Sequence, residues 1–406
     1  MSRVPRAAIV GGSMGGLFAA HLLLRAGWDV QVYERAAGEL EGRGAGIVTH
    51  PELMAALDAA GIAIDHTIGV QVQQRVVLAR DGSETCRGDL PQILTAWSRL
   101  YQVLRSAFPD PRYRNGKHLA GFTQDAEGVT ARFADGETVR TDLLVAADGL
   151  RSTVRQALLP QDGAQYAGYV AWRGLVEESV LSPAALRDVF PYFAFGLPPH
   201  EQLIAYPVAG HGNTVQPGRR RYNFVWYRPA DQHSVLRDLL TDASGKHWPE
   251  GIPPPLIRPA VLAAARQAAA EVLPPQFAEV VAKTENLFFQ PIFDLESPRL
   301  AFGRVALLGD AAFVARPHCG MGVTKAAGDA VALAAALAGR PGDIGTALRD
   351  YETQRLPYGT AIVAHARALG AYMQAQISTP AEQAMAEKYR LPETVMRETA
   401  VPFTGH

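Results

Sequence analysis

Residues 6–35 read RAAIVGGSMGGLFAAHLLLRAGWDVQVYER, and the order of residue types along them decides the fold. Ala7–Val10 is an apolar run of strand length that stops at a glycine-rich turn, Gly11–Gly16. Leu17–Ala26 has helical composition, Gly27 ends it, and Asp29–Tyr33 is a second strand closed by Glu34. Together they make one βαβ unit. The first turn of its helix leaves N–H groups unpaired, so that end attracts negative charge. Gly11 and Gly16 stand where a dinucleotide fingerprint needs a tight turn and close packing. Glu34 stands about 20 positions on, where a carboxylate binds a ribose hydroxyl. The fingerprint's second glycine is replaced by Ser13, whose hydroxyl can donate to a phosphate.

A second glycine-rich stretch, GDAAFVARPHCGMGVTKAAGDA at Gly309–Ala330, follows the apolar run ending at Leu308. Asp310 falls at the carboxyl end of that strand, where ligands sit in open α/β sheets. After Pro317 a helix begins at about Gly322, so its unpaired N–H groups face what Asp310 faces. The structural alternative is a loop that only packs a helix on a sheet. A third motif, Ala147-Asp148-Gly149, ends a strand and precedes Ser152 and Arg155. Arg43-Gly-Ala-Gly-Ile47 precedes a helix near Pro51, and Ser98–Leu104, which carries Arg99, opens an amphipathic helix.

From Tyr166 to Tyr227 the character changes. Short aromatic and β-branched runs, Tyr169–Trp172, Leu203–Tyr206 and Tyr222–Tyr227, are separated by Pro and Gly and read as a mostly antiparallel sheet. Gly121–Phe133 with Thr138–Val145 reads as a hairpin around Asp135-Gly136. Glu250–Pro259 is a proline-rich connector, Pro259–Ala282 a helical region broken at Pro274-Pro275, and Asp343–Gln374 and Ala381–Arg390 are helical.

At 406 residues the chain exceeds one ordinary core and predicts two joined domains. Lys plus Arg number 39 against 40 Asp plus Glu, a formal charge of -1. That balance gives no footprint for nucleic acid or an anionic membrane, so a small-molecule partner is expected. Cys86 and Cys319 are far apart and match no metal spacing, which predicts no metal site and suits a reducing cytoplasm. The opening MSRVPRAAIV is interrupted by GGSMGG and is not read as a signal peptide. No uncharged apolar run of about 18 residues predicts a membrane span. The oligomeric state stays open, a homodimer included.

The βαβ unit ending in Glu34, Ala147-Asp148-Gly149, and Gly309-Asp310 followed by Pro317 and Gly320-x-Gly322 occur in that order. Together they resemble the single-component FAD-dependent aromatic hydroxylases of the para-hydroxybenzoate hydroxylase type. Shorter stretches are similar to the hydroxypyridine-hydroxylating branch: GGS at Gly11–Ser13, Gly46–Leu53, Tyr166–Gly174, Leu203–Pro207 and Arg316–His318. The resemblance implies a Rossmann-like α/β FAD-binding domain, an interleaved, mostly antiparallel β-sheet substrate domain and a helical C-terminus. On that reading 1–70, 95–165 and 300–360 bind FAD, 71–94 and 166–299 form the substrate domain, and 361–406 the helical segment.

Carried over by residue, Gly11, Gly16 and Glu34 would hold the ADP half of FAD, with Ser13, Met14, Arg35 and Arg43 beside them. Arg99 would reach the FAD backbone, and Asp148-Gly149 would touch FAD and the nicotinamide cofactor. Asp310 would bind the ribityl chain, and Pro317, Gly320, Gly322 and Val323 would lie beside the isoalloxazine. NADH or NADPH and O2 would be co-substrates, and a C4a-hydroperoxyflavin would hydroxylate a small hydroxylated aromatic or N-heteroaromatic ring. Phe313, Thr324 and Gly328 depart from the usual His, Asn and Glu.

A phenol-like ring reacts faster as its anion, so a base is expected near it, with His318, Tyr206 and His50 as candidates. Each has a structural alternative: loop spacer, core aromatic and helix-opening residue. Tyr206, Trp172, Phe224 and Trp226 are the candidate substrate-lining residues, although alternate sheet aromatics also serve as plain core. Arg173 is read as an ion-pair residue in preference to a cofactor contact. Two other functions fit the same motifs: oxygenation of a larger aromatic polyketide or antibiotic, and flavin binding without oxygenase activity.

Overall fold

Two sheets organise the molecule, and the hydrophobic pattern of each strand decides which sheet it joins. The computed structural model describes residues 3–40, 46–377 and 379–403. The chain runs β1 (Arg6–Val10), α1 (Met14–Arg25), β2 (Asp29–Tyr33), β3 (Gly46–Thr49), α2 (Pro51–Ala59), β4 (Val70–Leu78), β5 (Glu84–Ala96) and α3 (Trp97–Ala107). Then come β6 (Tyr113–Arg114), β7 (Leu119–Gln124), β8 (Val129–Phe133), β9 (Thr138–Thr141), β10 (Leu143–Ala146) and α4 (Thr153–Leu158). The middle holds β11 (Gln165–Glu177), α5 (Pro183–Asp188), β12 (Phe193–Gly196), β13 (Gln202–Val208), β14 (Arg221–Pro229), α6 (Val235–Leu239), α7 (Pro259–Val272), α8 (Pro275–Lys283) and β15 (Phe288–Glu296). The chain returns through β16 (Ala301–Phe302), β17 (Val305–Leu307), β18 (Phe313–Val314), α9 (Gly322–Gly339) and α10 (Ile344–Gly370), then α11 (Pro380–Tyr389) and α12 (Pro392–Glu398).

The first sheet has the order β16-β17-β10-β1-β2-β6 and is parallel from β17 to β6. β1 and β10 are apolar without alternation because both their faces are covered, as parallel strands require. α1 and α9 pack side by side on it. Parallel neighbours end at the same edge, so Gly11, Ala147-Asp148-Gly149 and Gly309-Asp310, which follow β1, β10 and β17, are brought together there.

The second sheet has the order β18-β15-β11-β14-β13-β12-β4-β5-β3, antiparallel except where β12 meets β4. Its two faces are distinct cores. Trp172, Tyr222, Phe224 and Trp226 pack with Val261, Ala265, Phe277 and Val280 of α7 and α8 on the back. Ala171, Ile204, Tyr206, Val225 and Tyr227 lie on the front.

Two boundaries differ from the sequence expectation. β3 pairs with β5, so Gly46–Thr49 belongs to the second sheet and not to a segment 1–70 of the first. The expected strand Thr138–Val145 divides at Asp142, whose carboxylate accepts from Arg6 N at 2.7 Å and diverts the chain from the hairpin to β1.

Arg316 ties the loop before α9 to β15. Its guanidinium lies 2.8 Å from Asp294 Oδ2, and both side chains are almost wholly buried. Arg367, partly exposed, shares the same carboxylate. Asp294→Ala should therefore leave a buried cation uncompensated and destabilise the fold by about 3–5 kcal/mol. Denaturant midpoints measure this, and a loss below about 1 kcal/mol, the range of exposed pairs, would contradict it.

Candidate active site

At the carboxyl edge of β1 the backbones touch. A Cβ added to Gly11, whose φ is +103, would lie 2.3 Å from Ala147 O, and one on Gly16 would lie 1.9 Å from Gly11 O. Only glycine lets α1 start this close to the sheet. Ser13 is the N-cap of α1 and makes no side-chain cap bond, so its hydroxyl is unspent. The buried Glu34 carboxylate accepts from Gly12 N and Ala36 N, both at 2.8 Å. Gly11, Ser13, Glu34, Arg35, Asp148 and Gly149 line one cavity of about 200 Å³. Asp148 accepts from Thr153 N at 2.8 Å, while its Oδ1 is buried without a partner. Burial raises its carboxyl pKa.

That cavity adjoins a larger one of about 510 Å³, Ser13 and Gly149 lining both. Met14, Asp310, Pro317, Gly320, Gly322 and Val323 line the larger space. The Asp310 side chain is 54% exposed, opening into this space from deep within the molecule. Burial raises its pKa and the Lys325 charge opposes the rise. The Lys325 ammonium is buried without a hydrogen bond, 3.9 Å from Asp310 Oδ1 and 3.8 Å from Asp329 Oδ2. Sequence reasoning missed this cation, since a lysine in an Ala-rich helix reads as a solvent-facing residue.

The opposite wall is the front of the second sheet: Arg173, Ile204, Tyr206, Asn223, Val225 and Tyr227. Of the expected substrate residues, Tyr206 lies there, but Trp172, Phe224 and Trp226 do not. They occupy the other parity of β11 and β14, and a one-residue offset along a strand moves a side chain to the opposite face. The missed signals were Asn223, a polar residue within the aromatic run of β14, and Gln202, which opens the apolar strand β13. Arg173 is also corrected: it faces the cavity and forms no ion pair among the described residues. Its Nε is buried without a partner.

Other expectations shift too. Arg99 lines a separate surface hollow and donates to Thr67 Oγ1 at 3.0 Å. Arg43 lies outside the described residues. His50 is behind the loop, its Nε2 3.2 Å from Gly320 O, and does not line the cavity. His318 does line it, yet both ring nitrogens are engaged, Nδ1 3.0 Å from Gln202 Oε1 and Nε2 2.8 Å from the Tyr169 hydroxyl. An amide oxygen only accepts, so Nδ1 donates and Nε2 accepts from Tyr169. Burial pulls the His318 pKa well below the usual range and lowers that of His50. A neutral imidazole with both nitrogens bonded positions the loop; it has no free lone pair for a substrate proton.

Glycine turns without room for a Cβ, an unspent helix-cap hydroxyl and a carboxylate at the edge of a parallel sheet form a nucleotide cradle beside a ring-sized cavity. Residues 166–294 match the "FAD binding domain-like" model and 292–366 the "FAD binding domain" model. The chain is 34% identical over 369 residues to 2,6-dihydroxypyridine 3-monooxygenase of Paenarthrobacter nicotinovorans, 91% of each chain. It is 31% identical over 378 residues to 3-amino-4-hydroxybenzoate 2-monooxygenase of Streptomyces cremeus, covering 90% of this chain and 86% of that one. Among solved structures, 2,6-dihydroxypyridine-3-hydroxylase from Arthrobacter nicotinovorans aligns with a TM-score of 0.86 at 33% identity, covering 95% and 97% of the two chains. Klebsiella pneumoniae HpxO complexed with FAD and uric acid aligns with 0.75 at 26%, covering 97% and 93%. The chain belongs to the FAD-dependent aromatic monooxygenases. Such an enzyme takes electrons from NADH or NADPH and oxygen from O2.

The residues fit FAD. The glycine turn lets the α1 N-terminus sit against the sheet edge, Asp148 Oδ1 lacks a partner, and Asp310 lines the larger cavity. Asp310→Ala should weaken FAD binding about 10- to 150-fold, the worth of one hydrogen bond to a charged group. Gly16→Val should yield colourless protein, its added side chain colliding with Gly11 O. Flavin absorbance of gently purified variants decides both, and full occupancy in either would contradict the cradle.

The buried imidazoles predict a pH dependence. His318, His50 and His21 are all depressed by burial. Below about pH 6.5 the unfolded chain takes up protons that the folded chain cannot, so stability falls with pH by up to about 1.4 kcal/mol per unit and histidine. Thermal melts from pH 7.5 down to 5.5 should show it, and a flat profile would mean these histidines protonate in place.

Proposed function

We propose that the enzyme hydroxylates a small hydroxylated N-heteroaromatic ring, hydroxypyridine-like, bound between the loop Pro317–Gly322 and the front of the second sheet. One observation carries this. Arg173, Tyr206 and Tyr227 face the cavity, and none of their side chains makes a hydrogen bond to a described residue. Buried polar groups find partners, so three unengaged heads in one cavity mark where a polar ring sits. The relative active on 2,6-dihydroxypyridine supports the ring class.

FAD, when bound, supplies the oxygen-activating redox chemistry that side chains lack. Gly11, Ser13, Met14, Gly16, Glu34 and Arg35 would hold its nucleotide half, Asp310 its ribityl chain, and Gly320, Gly322 and Val323 its ring end. The chain's own groups select and orient the substrate. The Arg173 guanidinium favours the ring's oxyanion by about 4 kcal/mol for a charge about 4 Å away at a protein-like dielectric. Burial pushes the Tyr206 and Tyr227 phenols well above their usual range, so both stay protonated and donate to ring oxygens. His318, neutral and tied to Tyr169 and Gln202, keeps the loop at its distance from the sheet. With Arg173 stabilising the anion, a ring ionised in solution needs no protein base. A cavity of about 510 Å³ must take the flavin ring and the substrate together, which argues for one small ring over a polyketide. Free thiols at Cys86 and Cys319 fit a cytoplasmic setting.

The deciding assay is NADH or NADPH oxidation by the holoenzyme with 2,6-dihydroxypyridine, 3-amino-4-hydroxybenzoate or urate. The hydroxypyridine should accelerate oxidation most and appear with one added oxygen by mass spectrometry; stimulation without oxygenated product would defeat the proposal. Arg173→Met should raise KM for the ring about 10- to 150-fold at unchanged flavin content, since a charge-assisted contact is lost. An unchanged KM would remove Arg173 from the site.

A further inference from the structure

Arg75, on β4, is 1% exposed and forms no ion pair among the described residues. All five of its donors are nevertheless engaged. Nη1 donates to Met396 O and Thr399 O, both at 2.6 Å, and Nη2 to Ala400 O at 3.0 Å and Gln92 Oε1 at 2.7 Å. Nε donates to Gln92 Oε1 at 3.1 Å, and Gln92 Nε2 donates to Ala400 O at 2.8 Å. The accepting carbonyls are those left free where α12 ends, and a guanidinium fork suits them. Held this way, Ala400 takes φ +52, a left-handed conformation unfavourable for a residue with a Cβ.

The 396–400 strap reaches the ring cavity. Ala400 lines it, and Ala400 N donates to His318 O at 2.8 Å. A Cβ on Gly320 would lie 3.1 Å from Ala400 Cα, so strap and loop are in close contact. Arg75 also lies 4.6 Å over the Phe193 ring, which stacks on Tyr206 at 5.1 Å. One buried guanidinium thus touches the strap and backs the aromatic wall. An apolar side chain would fill this space without burying an unpaired charge, so filling alone does not account for an arginine here.

We propose that Arg75 is a positioning residue of the hydroxylation site, fixing the 396–400 strap as a wall of the ring cavity and, through Ala400 N–H, holding the His318–Gly320 loop. The assignment rests on the ring site argued above. With the strap held, the cavity excludes water, and NAD(P)H, H+, O2 and the ring C–H yield NAD(P)+, water and the ring C–OH. With the strap loose, the same electrons reduce O2 with two protons to hydrogen peroxide, and the ring is left unchanged.

The test compares the holoenzyme with Arg75→Met, Arg75→Lys and a chain stopped after Glu398. With 2,6-dihydroxypyridine, Arg75→Met should raise the peroxide formed per nicotinamide oxidised several-fold and KM for the ring about tenfold. KM for the nicotinamide cofactor and flavin content should not change. Arg75→Lys, with three donors, should recover part of the coupling, and the shortened chain should behave as Arg75→Met. Iodide quenching of flavin emission needs no ring and should rise in both uncoupled forms. Unchanged peroxide, ring KM and quenching in folded Arg75→Met would overturn the proposal; a wild-type enzyme inert to the ring would instead count against the substrate, with quenching still deciding the strap. If the variants do not fold, hydrogen exchange on the unaltered enzyme decides. The Ala400 amide should exchange as slowly as sheet amides, and fast exchange would overturn the assignment.

Discussion

The close approach of two backbones at the end of the parallel sheet governs the rest of the structure. Gly11 sits against Ala147 so tightly that a Cβ on it would lie 2.3 Å from the Ala147 oxygen. That approach requires β10 to lie beside β1, and it sets the start of α1 close to the sheet. β17 extends the same edge on the other side of β10, which delivers Asp310 to it. Three motifs separated by more than a hundred residues thus become one cradle through strand order alone. The α1 and α9 N-termini both face this edge, where unpaired backbone N–H groups favour an anion whatever side chains surround them.

The cradle was legible in the sequence because its determinants are local. A glycine turn after an apolar run, an acidic residue at the end of the second strand and a Gly-x-Gly before a helix each fix a backbone path within a few residues. The ring wall was legible only in outline. Tyr222–Tyr227 reads as a strand, but both of its faces are apolar and aromatic, so periodicity cannot say which face meets the ligand. Trp172, Phe224 and Trp226 went to the helices α7 and α8, while Asn223 and Tyr227 went to the cavity. Which way the parity falls depends on the packing of a helical layer some forty residues further along the chain. The strap at 396–400 was illegible for the same reason: its conformation is held by Arg75, more than three hundred residues away.

A positive charge without a hydrogen-bond partner marks each half of the site, with different consequences. Lys325 is buried beneath Asp310 and Asp329 and touches neither at hydrogen-bond distance, so it acts as a fixed positive field under the cradle. That field opposes the rise that burial imposes on the Asp310 carboxyl. Arg173 instead opens into the cavity, where its field falls on Tyr206, Tyr227 and His318. The first charge tunes a protein carboxylate; the second is directed at whatever enters.

This division explains how one fold serves different rings. On the proposed reading the cofactor would be held at the edge of the parallel strands, where backbone geometry sets the approach of α1. The ring, bound as proposed, would meet side chains of one parity on β11, β13 and β14, while their neighbours on the opposite face pack with α7 and α8. Relatives named for a pyridine and a benzoate align with this chain at about one-third identity over nearly its full length. If the ring binds as proposed, their difference belongs on the front face of the second sheet, where Arg173, Tyr206, Asn223 and Tyr227 line the cavity of this chain.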